Sequence, residues 1–290
     1  MFRGSIVAIV TPFKKDRVDE RALGDLIEWQ IAQGTDGIVP CGTTGESATL
    51  TYEEHNRVIE ITVEAVKGRV PVIAGTGSNS TAEAIQLTQH AKKVGADAAL
   101  LITPYYNKPT QEGLYLHHKA IAEKVDLPVV LYNIPGRTCV NLLPETVARL
   151  AKFKNIVAIK EGSGSLQQVC EIIQRCEDRI TVLSGDDALT LPMLSVGAKG
   201  VITVTANIEP AEMAAMMDSF EKGDPERARQ LHYQMYPLFN VLFIETNPIP
   251  VKTALALMGK TSGELRLPLC PMSEGNLEKL KKCLKEYGLI

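Results

Sequence analysis

The chain has 290 residues and a formal net charge of -3, with 31 Lys and Arg residues against 34 Asp and Glu residues. With 45% hydrophobic residues and no basic run, it has the composition of a globular protein with an ample core, which argues against a nucleic-acid partner. The six cysteines lack Cys-x-x-Cys and zinc-finger spacing, which favours reduced thiols. Residues 1–12 resemble a first strand more than a signal peptide, and no apolar run is long enough for a membrane span, so a soluble cytoplasmic protein is predicted.

Strand and helix patterns alternate eight times over residues 5–222. Continuous apolar runs predict strands, and apolar residues at helical spacing behind capping residues predict helices. The predicted strands are Ser5–Val10, Gly37–Pro40, Val70–Gly75, Ala98–Thr103, Leu127–Tyr132, Ile156–Glu161, Ile180–Ser184 and Gly200–Val204. The predicted helices are Asp19–Gln33, one that begins at Thr51, Ser80–Val94, Gln111–Val125, Pro144–Lys152, Leu166–Arg175, Ala188–Val196 and Pro210–Lys222.

This alternation predicts an α/β fold with parallel strands and right-handed crossovers. Eight units in a chain of this size favour a closed (β/α)8 TIM barrel over an open doubly wound sheet. From Asp224 onward the sequence predicts only helices, roughly Pro225–Phe243, Pro250–Gly259 and Ser273–Tyr287. We therefore predict a catalytic barrel over residues 1–223 and a C-terminal helical region over residues 224–290, packed on the barrel as one functional unit.

The segments after the predicted strands carry the candidate chemistry, because TIM barrels place their active sites at the C-terminal ends of the strands. Hydroxyl groups, glycines and one lysine crowd this rim, whereas the opposite rim has glycine turns and charged helix ends. This asymmetry indicates an enzyme.

Lys160 lies at the C-terminal end of the sixth predicted strand and is the only lysine that the pattern places at such an end. An amine attacks a carbonyl group only in its unprotonated form, and a barrel mouth lined by apolar strands favours that form by desolvation. Lys160 is therefore a candidate Schiff-base lysine. The alternative from the strand alone is a rim lysine paired with Glu161.

Three further candidates lie on the same rim. Tyr132 ends the fifth strand, where a phenol could pass protons to and from a carbinolamine. The turn at Thr43 and Thr44 offers backbone N–H groups and hydroxyls to a carboxylate. Arg137 could grip a second carboxylate through its guanidinium. Each group also has an ordinary structural explanation, as a barrel-top aromatic, a capping turn or a solvated cation.

Three other patterns are interpreted as structural. The segment Gly75–Ser80 lacks the third glycine of a dinucleotide-binding fingerprint. Asp186 and Asp187 have no accompanying histidine or third carboxylate for a metal, and a helix cap is expected there. His117 and His118 have no partner at metal-ligand spacing and are expected on the surface or in packing. No metal or organic cofactor is predicted.

Several motifs together resemble those of the dihydrodipicolinate synthase family, within the pyruvate-dependent class I aldolase and N-acetylneuraminate lyase superfamily. They cover essentially the whole chain and are Gly4–Pro12, Gly42–Ala48, Tyr132–Thr138, Ile159–Glu161, Ser184–Asp187 and Asn247–Lys252. The arginine after Tyr-Asn-Ile-Pro discriminates best, because sialic acid lyases, which are similar in fold and in their lysine, typically lack it.

The resemblance implies that Lys160 forms a Schiff base with pyruvate, which condenses with L-aspartate 4-semialdehyde to 4-hydroxy-tetrahydrodipicolinate, the first committed step of diaminopimelate and lysine biosynthesis. The implied proton relay is Thr43, Tyr132 and Tyr106, with Tyr106 supplied by a neighbouring subunit of a homotetramer built as a dimer of dimers. Thr44 and backbone groups near Ile202 would hold the pyruvate carboxylate, and Arg137 that of the semialdehyde. Gly185 belongs to the implied substrate-binding set.

The resemblance also implies feedback inhibition by L-lysine at a dimer interface. The matching positions are Ser47, Ala48, His55, Asn79, Glu83 and Tyr105. Tyr52 departs from the family pattern, which often has histidine there.

Two other functions are alternatives. Another pyruvate aldolase, acting on a keto-deoxy sugar acid or 4-hydroxy-2-oxoglutarate, would use the same lysine but catalyse retro-aldol turnover. A non-catalytic barrel would bind a metabolite without turnover, and the intact set of rim residues argues against it.

Overall fold

Eight parallel strands form one sheet in the computed structural model, which describes residues 2–290. The strands are β1 Gly4–Ala8, β2 Gly37–Val39, β3 Ile73–Gly75, β4 Ala98–Ile102, β5 Val129–Asn133, β6 Ile156–Glu161, β7 Thr181–Ser184 and β8 Gly200–Thr203. Their order is β2-β1-β8-β7-β6-β5-β4-β3. A parallel bridge between Ile38 and Val72 joins the two ends of this order. The sheet therefore closes into the predicted TIM barrel.

A helix follows each strand, as the alternation predicts. The helices are α1 Glu20–Ala32, α2 Tyr52–Val66, α3 Thr81–Val94, α4 Gln111–Lys124, α5 Pro144–Leu150, α6 Leu166–Cys176, α7 Thr190–Ser195 and α8 Pro210–Glu221. Side-chain caps explain several of the starts: Thr51 and Glu54 form a reciprocal capping box at α2, and the hydroxyl of Ser80 accepts the amide of Glu83 at α3.

The core has two apolar layers, because successive residues of a strand point to opposite faces. In β6, Ala158 belongs to the small cluster inside the barrel, whereas Ile159 belongs to the large cluster between strands and helices. Lys160 has the inward parity of Ala158, and Glu161 has the outward parity of Ile159. Burial on both faces explains the continuous apolar strand sequences.

The helical tail contains α9 Pro225–Val241, α10 Ile249–Leu257 and α11 Glu274–Tyr287. Gly223, with a φ of +82°, makes the turn between α8 and α9, which pack against each other. This turn lies at the predicted boundary between residues 1–223 and 224–290, which stays a prediction. Within residues 2–290, no helix is both long and apolar enough to cross a membrane.

A hairpin and a single helical turn are among the small elements that the sequence pattern did not predict. Phe13–Lys14 and Arg17–Val18 form a hairpin, and Pro135–Thr138 forms one helical turn. The hairpin turn has positive φ at Lys15 and Asp16, and its amides donate to the Glu264 carboxylate. A distant partner in the tail fixes this turn, and short-range periodicity carries no information about such a contact.

Candidate active site

A cavity of about 340 Å³ opens at the C-terminal rim of the barrel. The barrel supplies Thr43, Glu46, Tyr132 and Arg137 to its lining, among others. The tail forms another part of the wall, with Thr246, Asn247, Pro248, Pro268 and Leu269. Barrel and tail therefore build one site together.

Lys160 is buried next to this cavity, with 6% of the residue exposed. It pairs in register with Tyr132 of β5, and its Nζ lies 4.3 Å from the centroid of the Tyr132 ring. Tyr132 lines the cavity, whereas Lys160 is absent from the lining. The amine thus lies beneath a phenol that faces the open space.

Glu161 faces away from the lysine, and the alternative of a Lys160–Glu161 pair is wrong. The buried Glu161 carboxylate accepts Asn133 Nδ2 at 3.0 Å, Gln168 Nε2 at 3.1 Å and the Ser163 amide at 2.6 Å. Strand alternation explains the separation, since neighbours in β6 point to opposite sides of the sheet.

The turn after β2 brings Thr43 to the cavity, while Thr44 lies behind it and is not among the lining residues. Thr43 is partly buried and lines the open space, whereas Thr44 is buried and its Oγ1 accepts Asn247 Nδ2 at 3.0 Å. Gly45 allows the chain to turn this tightly, since a Cβ there would lie 3.1 Å from the Cys41 backbone nitrogen. A hydroxyl of this turn thus lies beside the tail.

Arg137 lies on the single-turn helix Pro135–Thr138, is exposed and lines the cavity. Its Nη2 donates to the backbone oxygen of Asn247 at 3.2 Å. Within residues 2–290, the Arg137 side chain makes this one hydrogen bond. The other N–H groups of the guanidinium are therefore available to bind an anion.

Tyr106 does not join this group within one chain. It is 90% exposed and has a φ of +72°, whereas its neighbour Tyr105 lines the cavity. Ile202 lies inside the barrel on β8, and the Gly185 amide donates to the Glu161 carbonyl oxygen at 2.8 Å. Neither Ile202 nor Gly185 is among the lining residues.

The predicted lysine-binding residues fall into two groups. Ser47, Ala48 and Tyr105 line the mouth of the cavity. Asn79 Nδ2 donates to the Tyr105 backbone oxygen at 3.3 Å, next to Glu83 on α3, which accepts the Ser78 hydroxyl. The sixth residue, His55, is buried apart from the cavity lining, and burial lowers its pKa to about 4. The Glu83 carboxylate, which lies beside Tyr52, raises the pKa of the Tyr52 phenol.

The patterns interpreted as structural have internal partners. Asp186 Oδ1 accepts the amides of Ala188 and Leu189 in the turn before α7, whose N-cap residue Leu189 has no side-chain cap. Asp187 accepts the amide and hydroxyl of Thr205, so the expected helix cap is wrong for both residues. His117 and His118 are buried packing residues on α4. Within residues 2–290, no group of three or more His, Cys, Asp or Glu side chains is arranged to hold a metal ion.

Sequence reasoning missed the roles of Asn247, Glu46 and Lys252. Asn247 contacts both Thr44 and Arg137, and the Lys252 ammonium is paired with the Glu46 carboxylate, both fully buried. The available signal was the motif Asn247–Lys252, which carried the resemblance without an assigned role. The pairings span 110 to 206 positions, so only the folded chain reveals them.

Known proteins resemble this chain over its full length. The model of the Dihydrodipicolinate synthetase family matches residues 1–287. The 4-hydroxy-tetrahydrodipicolinate synthase of Geotalea uraniireducens (strain Rf4) is 68% identical over 290 residues, 100% of both chains. The chloride-inhibited dihydrodipicolinate synthase from Acinetobacter baumannii complexed with pyruvate has a TM-score of 0.98 at 50% identity, covering 100% of both chains. The lysine-bound enzyme of Cyanidioschyzon merolae has a TM-score of 0.97 at 43% identity, covering 100% of this chain and 99% of the other.

Proposed function

The chain belongs to the dihydrodipicolinate synthetase family, and from this premise we propose that it condenses pyruvate with L-aspartate 4-semialdehyde to 4-hydroxy-tetrahydrodipicolinate. This is a Schiff-base lyase reaction of lysine and diaminopimelate biosynthesis. The observation that carries the proposal is the buried Lys160 amine beside the Tyr132 ring, at the edge of a cavity that Arg137 also lines.

The first half of the reaction loads pyruvate onto the chain. The Lys160 amine attacks the keto carbon of pyruvate, and the resulting carbinolamine loses water to give an imine. Removal of a methyl proton then gives the enamine. Tyr132 is the proposed proton carrier, supported by its ring next to the amine, and Thr43 joins it from the same cavity wall. We propose that the carboxylate end of pyruvate is held by Thr44, Gly185 and backbone groups near Ile202.

The second half joins the two substrates. The enamine carbon attacks the aldehyde carbon of the semialdehyde, whose carboxylate Arg137 holds. The substrate amine then attacks the imine carbon, which closes the ring and releases the Lys160 amine. Carbon–carbon bond formation, cyclisation and lysine release therefore balance without an oxidant, and the proposed chemistry requires no metal or organic cofactor.

Tyr106 supports a proposal about assembly. A side chain that is 90% exposed at the same rim suits donation into the site of a second subunit. We propose that the chain works as a homotetramer, a dimer of dimers, in the cytoplasm, and that Tyr106 completes the proton relay of a neighbouring subunit.

Regulation by L-lysine is proposed on the same grounds. The Cyanidioschyzon merolae relative was crystallised with lysine bound. Here Ser47, Ala48 and Tyr105 lie at the cavity mouth, close to Asn79 and Glu83, where a carboxylate can meet an ammonium group. His55 belongs to the proposed set only as support behind these residues.

A coupled assay with pyruvate and L-aspartate 4-semialdehyde, with and without L-lysine, tests the function. The proposal expects condensation that depends on both substrates and a decrease in rate with lysine. Retro-aldol cleavage of keto-deoxy sugar acids without condensation would instead favour the other pyruvate aldolases, which the curated relatives do not favour.

A further inference from the structure

Asn247 lies where the helical tail meets the barrel rim. It is 5% exposed and lines the cavity. Its Nδ2 donates to Thr44 Oγ1 at 3.0 Å, and its backbone oxygen accepts Arg137 Nη2 at 3.2 Å. One tail residue therefore contacts both side chains that the proposed function assigns to the two substrate carboxylates.

The direction of the bond to Thr44 decides what its hydroxyl can offer a ligand. A threonine hydroxyl has one proton to donate and two lone pairs to accept. Because the Asn247 amide occupies a lone pair, the hydroxyl proton is left free. A substrate carboxylate only accepts hydrogen bonds, so it requires that proton.

We propose that Asn247 is a positioning residue that orients the Thr44 hydroxyl, so that its proton is donated to the carboxylate of pyruvate. The backbone oxygen of Asn247 fixes the position of the Arg137 guanidinium at the same time. The inference rests on the proposed function, because it takes Thr44 and Arg137 as the groups that hold the two substrates.

A buried ion pair anchors the segment that carries Asn247. Lys252 on α10 pairs with Glu46, two residues after Thr44, and both side chains are shielded from water. The Lys252 amide also donates to the Pro248 oxygen at 3.0 Å, within the same segment. The ion pair and the Asn247–Thr44 hydrogen bond are the two links that hold the tail against the Thr43–Thr44 turn, and the ion pair helps to fix the position from which Asn247 donates.

Two substitutions separate orientation of the hydroxyl from simple support. Asn247→Ala leaves the Thr44 hydroxyl free to rotate, and KM for pyruvate should rise about 5- to 10-fold. Asn247→Asp nearly keeps the side-chain volume, but a carboxylate can only accept hydrogen bonds. The new carboxylate would therefore accept the Thr44 hydroxyl proton, and it would add a negative charge near the substrate carboxylate. KM for pyruvate should then rise about 100-fold, with kcat changed much less.

A merely structural role predicts the reverse order, since aspartate fills the space better than alanine. Equal or tighter pyruvate binding by Asn247→Asp than by Asn247→Ala would overturn the inference. Asn240→Asp, which adds the same charge at an exposed position of α9, should leave KM for pyruvate unchanged.

A second measurement covers the outcome in which Asn247→Asp does not fold. In a Thr44→Val background there is no hydroxyl to orient, so Asn247→Ala should add no further rise in KM for pyruvate. An additional rise of the same size as in the wild-type background would contradict the inference. Absence of condensation in the wild type would instead contradict the proposed function, so the two failures are distinguishable.

Discussion

At the scale of single residues, the site combines a buried amine with polar groups that reach it from separate loops. Lys160 and Tyr132 are neighbours in register, while Thr43 and Arg137 come from the turns after β2 and β5. The barrel rigidly aligns the strand ends, so short turns suffice to bring these side chains to one cavity. Each residue can therefore be tested by a substitution that leaves the strands intact.

Arg137→Ala should selectively weaken binding of the second substrate, L-aspartate 4-semialdehyde. Loss of charge-assisted hydrogen bonds to a carboxylate is expected to raise KM for the semialdehyde about 10- to 100-fold, while pyruvate still loads onto Lys160. Steady-state kinetics with each substrate varied in turn measures the difference. Arg229→Ala, on the exposed face of α9, is the matched control. A change in KM for pyruvate alone would show that Arg137 serves the first substrate instead.

At the scale of elements, the tail is part of the active-site wall. Lys252 on α10 and Glu46 in the turn after β2 form a fully buried ion pair, and Lys252 Nζ also lies 4.2 Å from the centroid of the Phe13 ring. Burial lowers the pKa of the Lys252 ammonium, and the Glu46 carboxylate opposes that shift. The pair joins the two regions that the sequence divides near residue 223.

Lys252→Met should be strongly destabilising, because it leaves the Glu46 carboxylate buried without a counter-charge. The free energy of unfolding should fall by about 3–5 kcal/mol, as measured by urea denaturation. The double variant Glu46→Leu/Lys252→Met should recover most of that loss. The exposed pair of Lys222 and Asp218 is the control, and Lys222→Met should cost less than about 1 kcal/mol. A similar loss of unfolding free energy in Lys252→Met and Lys222→Met would contradict this explanation.

Helix α4 contains a second buried polar cluster, which makes stability depend on pH. Burial lowers the pKa of His117 to about 4 and that of His118 well below its ordinary value of 6.5. The unfolded chain therefore binds more protons than the folded chain between these values. Stability is full above pH 6.5 and falls as the pH decreases toward 4.

His118→Leu should flatten this dependence. Removing one titrating ring should reduce the slope of the unfolding free energy by about 1.4 kcal/mol per pH unit between pH 6 and 4.5. Both ring nitrogens of His118 lack partners within residues 2–290, so the substitution breaks no hydrogen bond of the described chain. Parallel curves for the variant and the wild type would exclude His118 as a source of the acid sensitivity.

At the scale of the whole molecule, local patterns predicted the architecture and long-range contacts completed the site. The eight strands follow from continuous apolar runs and the helices from apolar residues at a spacing of about 3.6 residues, whereas the inward parity of Lys160 comes from the folded barrel. Asn247 and Lys252 could not be assigned roles, because their partners lie 110 to 206 positions away. Glu161 shows the converse limit, since the alternative of a Lys160–Glu161 pair followed from their adjacency in sequence, although the strand turns the two side chains apart.

The proposed shared site can be tested by subunit mixing. A Tyr106→Phe chain and a Lys160→Ala chain, each inactive alone, should regain roughly a quarter of the wild-type rate when co-expressed with different tags and purified together. Random pairing makes half of the dimers mixed, and each mixed dimer has one site with an intact lysine and an intact tyrosine from the other subunit. If each chain is inactive alone and the mixture has no activity either, Tyr106 acts within its own chain.

The most direct test of the account is borohydride reduction of the protein in the presence of pyruvate, followed by mass spectrometry of the peptides. The account predicts a reduced pyruvate adduct on Lys160, formed without the semialdehyde, and loss of the adduct in the Lys160→Ala variant. An unmodified Lys160, or an adduct on another lysine such as Lys252, would contradict the Schiff-base mechanism.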